Sequence, residues 1–419
     1  MSPGVLSLGA LLIVIAVSMT ARINVGVLAI ALAAGVAILA AGWTANELAA
    51  AFPAPLFLIL VGVTLLFGIA VRNGTLGAIT ARMVRLCGHR TAILPVAFSL
   101  LTFVLSAIGP GSIIGVAMIA PLAMSAGVTA GIPAFLLALM VAIGASAGTL
   151  SPLGLAGIIS LNILERGGLG GHEAAVFISN FAAHVVAAVA AYLMFGGLGL
   201  LHANRGAPRA LDAVALPPLT PTHWLTISVL VVWLVIVVGF EANPGLVAFP
   251  AAAILIIAGA ADDNTALGAI PWAVIIMVSG VSLLISVLDK TGGMELFTSI
   301  LANIASPGTA NGIMAFVAGV ISTCSSTSGV VLPAFLPTVS SLVEQLGGGD
   351  PLEIALSIII GASLVDVSPL STGGALCIAA VLPGAADTKN MFRRMLLWSF
   401  AMTLYGAAFC QLFIGLFAW

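Results

Sequence analysis

Residues 144–153 read GASAGTLSPL, and residues 361–370 read GASLVDVSPL. Both decamers lie in long apolar stretches, and both place a Ser-Pro pair where a helix would otherwise continue. Because proline breaks a helix interior, each stretch is predicted to be a helix that stops and starts again. Upstream, residues 62–66 (GVTLL) recur as residues 280–284 (GVSLL) at nearly the same separation along the chain. We therefore predict an internal duplication.

The composition indicates that lipid surrounds most of this chain. Of its 419 residues, 61% are hydrophobic and only 6% are charged, whereas soluble domains carry about 25% charged residues. The long apolar runs favour transmembrane helices over the alternating strands of a β-barrel. The net charge of −2 gives no support for binding nucleic acid.

Windows of about 20 residues define apolar spans at 4–20, 24–42, 54–71, 131–164, 173–199, 223–240, 245–260, 270–289, 351–384 and 395–417. Two further apolar stretches, about 91–128 and 308–346, have a polar centre. We interpret them as re-entrant hairpins, although two spans each would preserve the alternation too. The first span lacks a basic leader and a cleavage site, so it is interpreted as part of the mature chain.

The predicted fold is an all-α polytopic membrane protein with an inverted repeat. Each copy has five transmembrane helices and one re-entrant hairpin, with a broken helix at mid-membrane. Residues 1–205 form the first copy, 206–222 a cytoplasmic linker and 223–419 the second copy. Inverted repeats are typical of secondary transporters, whose binding site lies near the midplane.

The basic residues predict the orientation. In this topology only Arg166 and Lys290 lie on one side of the membrane. The positive-inside rule makes the other side cytoplasmic, since it holds Arg22, Arg72, Arg82, Arg85, Arg90, Arg205, Arg209, Lys389, Arg393 and Arg394. We therefore expect a protein of the bacterial inner membrane with both termini in the periplasm.

Four polar motifs form the predicted binding site: the two helix breaks and the two hairpin tips, 106–112 and 322–329. At each break the serine is interpreted as an N-cap and the proline as the first helical residue. A restarted helix attracts anions through its free N–H groups and its dipole. Substrate contacts are predicted at Gly109, Gly111, Ser112, Ser151, Ser325, Ser326, Thr327, Ser328, Ser368, Ser371 and Thr372, and contacts with a coupling Na⁺ at Ser106, Ser146, Thr149, Thr323, Ser363 and Asp366. The alternative interpretation is that these small residues only let helices pack closely.

Asp366 is the one acidic residue deep in a predicted span. Burying it costs about 2.5–3.5 kcal/mol, so a role in ion coupling is favoured over a structural one. His184, midway along the fifth span, is interpreted as a structural hydrogen-bonding residue, with titration as the alternative. The cysteines have no metal-site or disulfide spacing and are interpreted as packing residues.

The first half resembles a known carrier family. Residues 52–57 (FPAPLF), 61–67 (VGVTLLF), 73–76 (NGTL), 107–112 (AIGPGS) and 120–121 (AP) are similar to the N-terminal domain of MatC-type malonate and dicarboxylate carriers. The likeness covers about residues 1–155. Through the repeat, the second half resembles the wider ion-transporter superfamily that includes the divalent anion/sodium symporters.

This resemblance implies a homodimer with a scaffold domain and a mobile transport domain. It also implies an elevator motion, with sodium bound between hairpin tips and broken helices. Those symporters often carry Ser-Asn-Thr at both tips, whereas residues 109–112 read GPGS here and residues 325–328 read SSTS. Glycine and proline at the first tip would shift recognition toward backbone N–H groups.

The sequence thus predicts a secondary-active, cation-coupled carrier of C3–C4 dicarboxylates such as malonate, with Na⁺ as the coupling ion and no other cofactor. A proton-coupled carrier, or an exporter of another organic anion, is the alternative. A nucleotide-binding motif is absent, so the sequence does not support ATP-driven transport. An intramembrane serine hydrolase using His184 lacks a Gly-x-Ser-x-Gly elbow, so no enzyme activity is predicted.

Overall fold

The computed structural model describes residues 2–20, 23–86, 91–109, 111–203, 218–240, 242–381 and 386–419. These residues are helical or lie in the turns between helices, which confirms the predicted all-α fold. Several predicted features lie outside the described residues: Arg22, Arg90, Arg205, Arg209, Cys87, Pro110 and most of the linker 206–222.

The first half contains eleven α-helices among its described residues. They are α1 (Pro3–Thr20), α2 (Val25–Ala34, continued by a π-helical Gly35–Ala40), α3 (Ala45–Ala50), α4 (Ala54–Arg72), α5 (Thr75–Leu86), α6 (Leu94–Ile108), α7 (Gly111–Thr129), α8 (Ala134–Gly148), α9 (Leu155–Arg166), α10 (Glu173–Met194) and α11 (Gly197–Ala203).

The second half repeats this order. It contains α12 (Pro221–Gly239), α13 (Pro244–Ile257), α14 (Asp263–Gly268), α15 (Trp272–Lys290), α16 (Gly293–Ile304), α17 (Ala310–Cys324), α18 (Leu332–Phe335), α19 (Val339–Leu346), α20 (Pro351–Leu364), α21 (Thr372–Ala379) and α22 (Thr388–Phe413). A π-helical Thr327–Val331 precedes α18, and 3₁₀ turns at Leu336–Thr338 and Ile414–Leu416 follow α18 and α22.

Five helical segments are long and apolar enough to cross a membrane: α4, α10, α15, Thr327–Leu346 and Thr388–Leu416. Nine further apolar helices of 10–17 residues accompany them within the described parts of the chain. The chain is therefore a multi-pass membrane protein. The side of the membrane that each terminus faces stays a prediction.

The ends of α4 and α15 show why the two halves share a sequence pattern. Asn73 and Thr291 follow these helices, and the next residues, Gly74 and Gly292, adopt left-handed φ angles of 82° and 79°. Glycine adopts this conformation without the penalty that a side chain would bring. Both glycines then lead into a short helix, α5 or α16.

Glycines also let helices of the two halves pack closely against each other. A β-carbon added to Gly26 in α2 would lie 2.1 Å from the Ile276 carbonyl oxygen, and one added to Gly280 in α15 would lie 2.3 Å from that of Gly26. In the equivalent pair, a β-carbon on Gly62 in α4 would lie 2.3 Å from the carbonyl oxygen of Gly245 in α13. Each half thus presses its second helix, backbone to backbone, against the other half.

Hydrogen bonds also connect the two halves at equivalent positions. The hydroxyl oxygens of Ser7 in α1 and Thr291 lie 2.8 Å apart. The Asn73 amide nitrogen donates to the Thr226 hydroxyl of α12 over 2.9 Å. Helix α1 of the first half therefore bonds to the end of α15 in the second half. Helix α12 of the second half bonds in the same way to the end of α4 in the first half. These equivalent contacts support the duplication, while the inverted orientation of its copies stays a prediction.

The helices α8 and α20 lie in the core. Every residue of α8 is buried, as are twelve of the residues of α20. Gly144 of α8 approaches the Ser99 carbonyl of α6, and Gly361 of α20 approaches the Ala315 carbonyl of α17. The ends of α8 and α20 are consequently enclosed by protein.

Replacing Gly62 or Gly26 by alanine is expected to destabilise the protein. The new methyl group meets backbone that cannot rotate away, and overpacking of this kind costs about 1–3 kcal/mol. Thermal unfolding in detergent should show a lower midpoint for each variant. Gly9→Ala in α1 is the matched control because its β-carbon meets nothing within 4 Å. Equal midpoints for G62A, G26A and G9A would refute the backbone contact.

Candidate functional site

The first hairpin tip depends on two glycines. Helix α6 ends at Ile108, and Gly109 and Gly111 have φ angles of 142° and 85°. A β-carbon on Gly109 would also lie 2.3 Å from the ring of Phe67 in α4. The tip therefore closes tightly beneath Phe67, and α7 starts at once with Gly111 and Ser112.

The second tip is built from serines. Helix α17 ends at Cys324, and the hydroxyl of Ser326 accepts a hydrogen bond from the Gly329 N–H over 3.1 Å, which caps the following π-helical segment. The Met277 side chain of α15 covers Gly329, since a β-carbon there would lie 2.2 Å from its methyl group. Each tip is thus covered by a large apolar side chain.

At the first break, the predicted N-cap is wrong. Helix α8 ends at Gly148, and α9 begins only at Leu155 with Gly154 at the N-cap. Ser151 instead closes a turn, because its carbonyl oxygen accepts from the Gly154 N–H over 2.8 Å and its hydroxyl accepts from the Leu153 N–H over 3.3 Å. The Ser-Pro pair ends one helix without starting the next.

The second break shows the same correction. Helix α20 ends at Leu364, and Ser371, not Ser368, is the N-cap of α21. The Ser371 hydroxyl accepts from the Gly374 N–H over 3.2 Å. Ser368 lies in the preceding turn and donates to the Thr323 carbonyl over 2.9 Å, which ties the break to the second tip.

A cavity of about 370 Å³ lies where the tips and breaks meet. The first turns of α7, α9, α21 and the helix after the second tip all line it. Eleven of the predicted site residues contribute to its wall: Gly111, Ser112, Ser146, Thr149, Ser325, Ser326, Thr327, Ser328, Asp366, Ser371 and Thr372. The N-terminal turns of four helical segments, which carry the positive ends of their helix dipoles, therefore surround one space.

Six predicted site residues do not line this cavity: Ser106, Gly109, Ser151, Thr323, Ser363 and Ser368. Thr323 donates to the Gly319 carbonyl of its own helix over 2.9 Å. The Ser106 hydroxyl oxygen is buried and has no hydrogen-bond partner among the described residues. The hydroxyls of Thr323, Ser363 and Ser368 bond to other groups of the protein and so stabilise the tips and breaks.

Asp366 is the only charged residue in the described wall of the cavity. The Thr327 hydroxyl, from the second tip, donates to its carboxylate over 2.5 Å. Because that hydroxyl uses its proton on Asp366, the Ser322 hydroxyl must donate to Thr327 across their 2.5 Å contact. A chain of two hydroxyls thus holds the carboxylate against the tip.

Apolar side chains also line the cavity, which the sequence did not predict. Phe67, Val274 and Met277 come from α4 and α15, while Leu155 and Leu370 belong to the two breaks. In the sequence these residues cannot be told apart from lipid-facing or core positions. The cavity lining therefore combines hydroxyl groups with hydrocarbon surface.

The sequence also did not predict a role for Asn180. This buried residue of α10 donates through its amide to the carbonyls of Ser146 and Ala147, over 3.1 and 3.2 Å. It accepts from the Ser363 hydroxyl over 2.7 Å. His184 Nδ1 lies 2.8 Å from the Asn180 carbonyl oxygen, in keeping with a structural role for the histidine. An amide inside an apolar span was the available signal.

The comparisons with known proteins agree with this architecture. Residues 1–149 match the family model described as the dicarboxylate carrier protein MatC N-terminus. The resemblance to MatC carriers is confirmed over these residues. No curated protein matches the chain significantly.

Two solved transporters share the fold. The MtrF structure from Neisseria gonorrhoeae, reported to illuminate a class of antimetabolite efflux pumps, aligns with a TM-score of 0.57 and 15% identity, over 90% of this chain and 84% of MtrF. The YdaH transporter of Alcanivorax borkumensis aligns with a TM-score of 0.53 and 15% identity, over 88% of this chain and 87% of YdaH. The MatC match and the shared fold together indicate a membrane transporter, not an enzyme.

Cysteine substitutions should distinguish the cavity wall from its supports. In a background without native cysteines, Ser112→Cys and Ser328→Cys are expected to react with a water-soluble thiol reagent, because both positions line the cavity and are partly exposed. Ser106→Cys should react at least about tenfold more slowly, because a fully buried thiol is reached only by local opening. Mass spectrometry gives the rates, and equal rates at the three positions would contradict the cavity described here.

Proposed function

We propose that this chain is a secondary-active carrier that couples the movement of a small dicarboxylate such as malonate to a cation gradient, with Na⁺ as the coupling ion. The single observation that supports this most is the meeting of four helix N-termini around one cavity. Helix N-termini bind carboxylates through their unpaired N–H groups and their dipoles. Substrate carboxylates would contact these groups and the hydroxyls beside them.

The charge of the cavity supports coupling to a cation. Its described wall contains the Asp366 carboxylate and no lysine or arginine. A dianion entering beside a carboxylate meets like-charge repulsion, which is strong where water is scarce. Helix dipoles offset part of this repulsion, and a cation bound beside Asp366 would offset more. Substrate and cation would then stabilise each other's binding.

The six residues predicted to contact the cation lie beside the two breaks, three in the cavity lining (Ser146, Thr149 and Asp366) and three outside it (Ser106, Thr323 and Ser363). Five of them would offer hydroxyl oxygens to a cation, and Asp366 would offer its carboxylate. The buried Ser106 hydroxyl, which has no partner among described residues, is available as a cation ligand. By analogy with the carriers that the chain resembles, the protein would act as a homodimer with an elevator motion.

The apolar residues of the cavity lining favour a second candidate function, the export or transport of a larger organic anion. Cavities of about 300–1,000 Å³ hold drug-sized ligands, and the cavity of about 370 Å³ falls in that range. Malonate has a single methylene group and offers little hydrocarbon surface to apolar lining residues such as Phe67 and Met277. A dicarboxylate with an apolar substituent would offer more.

Uptake of radiolabelled malonate into proteoliposomes tests the proposal. An inward Na⁺ gradient is expected to drive saturable accumulation, and an equal K⁺ gradient at the same pH is not. Uptake that ignores Na⁺ but follows an acid-outside gradient would assign coupling to protons. Stronger competition by benzylmalonate than by unlabelled malonate would favour the larger anion. An absence of uptake under every gradient would remove malonate as the substrate.

Asp366→Asn should abolish the cation dependence of uptake while leaving the protein folded, because the amide keeps the shape and loses the charge. Thr327→Val should weaken cation activation by about tenfold or more, since a hydrogen bond to a charged group contributes about 1.5–3 kcal/mol. Initial rates against cation concentration measure both effects. Asp263→Asn, in the exposed helix α14, is the control and should match the wild type. Unchanged cation activation in D366N would exclude Asp366 from coupling.

A further inference from the structure

One buried amide connects the two helix breaks. The Asn180 side chain donates to the carbonyls of Ser146 and Ala147 at the end of α8, and it accepts from Ser363 at the end of α20. Asn180 itself has no exposed surface. Within the described residues, it is the side chain whose hydrogen bonds reach the last turns of both broken helices.

The chemistry of its partners fixes the orientation of this amide. Backbone carbonyls only accept hydrogen bonds, so the NH₂ group must face Ser146 and Ala147. The carbonyl oxygen then faces Ser363, whose hydroxyl must be the donor. Reversing the amide would set oxygen against two carbonyls. Asn180 is therefore held in one orientation by both helices at once.

The two ends that Asn180 joins are equivalent positions of the duplication. Ser146 and Ser363 are the third residues of the repeated decamers. Just beyond them, Thr149 and Asp366 line the cavity. The last carbonyls of a helix carry its partial negative charge and lack partners in the helix itself. Asn180 bonds such carbonyls at the end of α8, and at the end of α20 it accepts from the Ser363 hydroxyl, so it holds the places from which both backbones leave their helices toward the cavity.

We propose that Asn180 is a positioning residue that makes the two breaks act as one binding unit, so that a ligand at one break changes the affinity of the other. This inference rests on the proposed cation-coupled transport for its functional meaning. A shift of the backbone at Ser146 moves the amide, and the amide moves the Ser363 hydroxyl next to the Asp366 turn. His184, bound to the backbone of Asn180, holds the amide's own helix turn in place.

A residue that only stabilises the fold would give a different result. Its loss would lower the unfolding temperature and the amount of active carrier, but the surviving protein would bind cation and substrate with the same mutual dependence. The informative quantity is the ratio of the malonate KM without cation to that at saturating cation. Coupled sites typically show ratios of about 5–150.

Three variants divide the contacts of Asn180. Asn180→Ala removes both connections, Asn180→Asp replaces the donor that faces α8, and Ser363→Ala removes the connection to α20. Each is expected to lower the ratio toward one, measured by uptake in proteoliposomes. Ser179→Ala is the matched control, because this buried neighbour donates only to the Val176 carbonyl of its own helix. A wild-type ratio in N180A, or a lowered ratio in S179A, would overturn the proposal.

A second experiment needs no transported substrate. In a background without native cysteines, Leu155→Cys reports on the first break through its rate of reaction with a water-soluble thiol reagent. Asp366→Asn, at the second break, should change this rate when Asn180 is present and leave it unchanged in N180A. No effect of D366N on the rate, or the same effect in both backgrounds, refutes the connection. Failure of malonate uptake alone would count against the substrate and leave this outcome decisive.

Discussion

Backbone N–H and carbonyl groups that leave a helix inside a membrane protein must find partners within the protein. The chain interrupts two core helices, at Gly148 and at Leu364, and so creates this demand twice in its interior. Neighbouring turns and side chains supply partners for these backbone groups. Turns satisfy part of each break, Ser371 caps α21, and Asn180 bonds the free carbonyls of α8. The cavity lies beside both breaks, since Thr149 and Asp366 line it.

The two breaks are equivalent in position and unequal in chemistry. Thr149 and Asp366 are each the sixth residue of their decamer, so the second break carries a charge that the first lacks. The tips differ as well, with glycines at the first and serines at the second. The first tip and break thus contribute glycine and hydroxyl groups to the cavity lining, and the second tip and break contribute hydroxyls and a carboxylate. Divergence after duplication has given one cavity two different walls.

Much of the architecture could be predicted from the sequence because its signals are local. The decamers at 144–153 and 361–370 identified both breaks, and apolar runs identified most helices. The restart points were wrong because a Ser-Pro pair can close a turn as well as cap a helix, and only tertiary contacts decide between these roles. At the second break the N-cap is Ser371, three residues after the predicted Ser368. Which residues line the cavity depends on packing between helices distant in sequence, so Phe67 gave no sequence signal specific enough to place it in the lining.

The close packing of helices between the two halves is reciprocal. Gly26 meets Gly280, and the equivalent of Gly280 meets the equivalent of Gly26. Reciprocal contacts of this kind define an isologous interface, the geometry of a twofold homodimer. A single unduplicated copy would leave its second helix and its fourth without partners, and a second copy would supply both. The single chain thus holds within one polypeptide the reciprocal contacts that two identical subunits would make, while its two polar motifs differ in sequence.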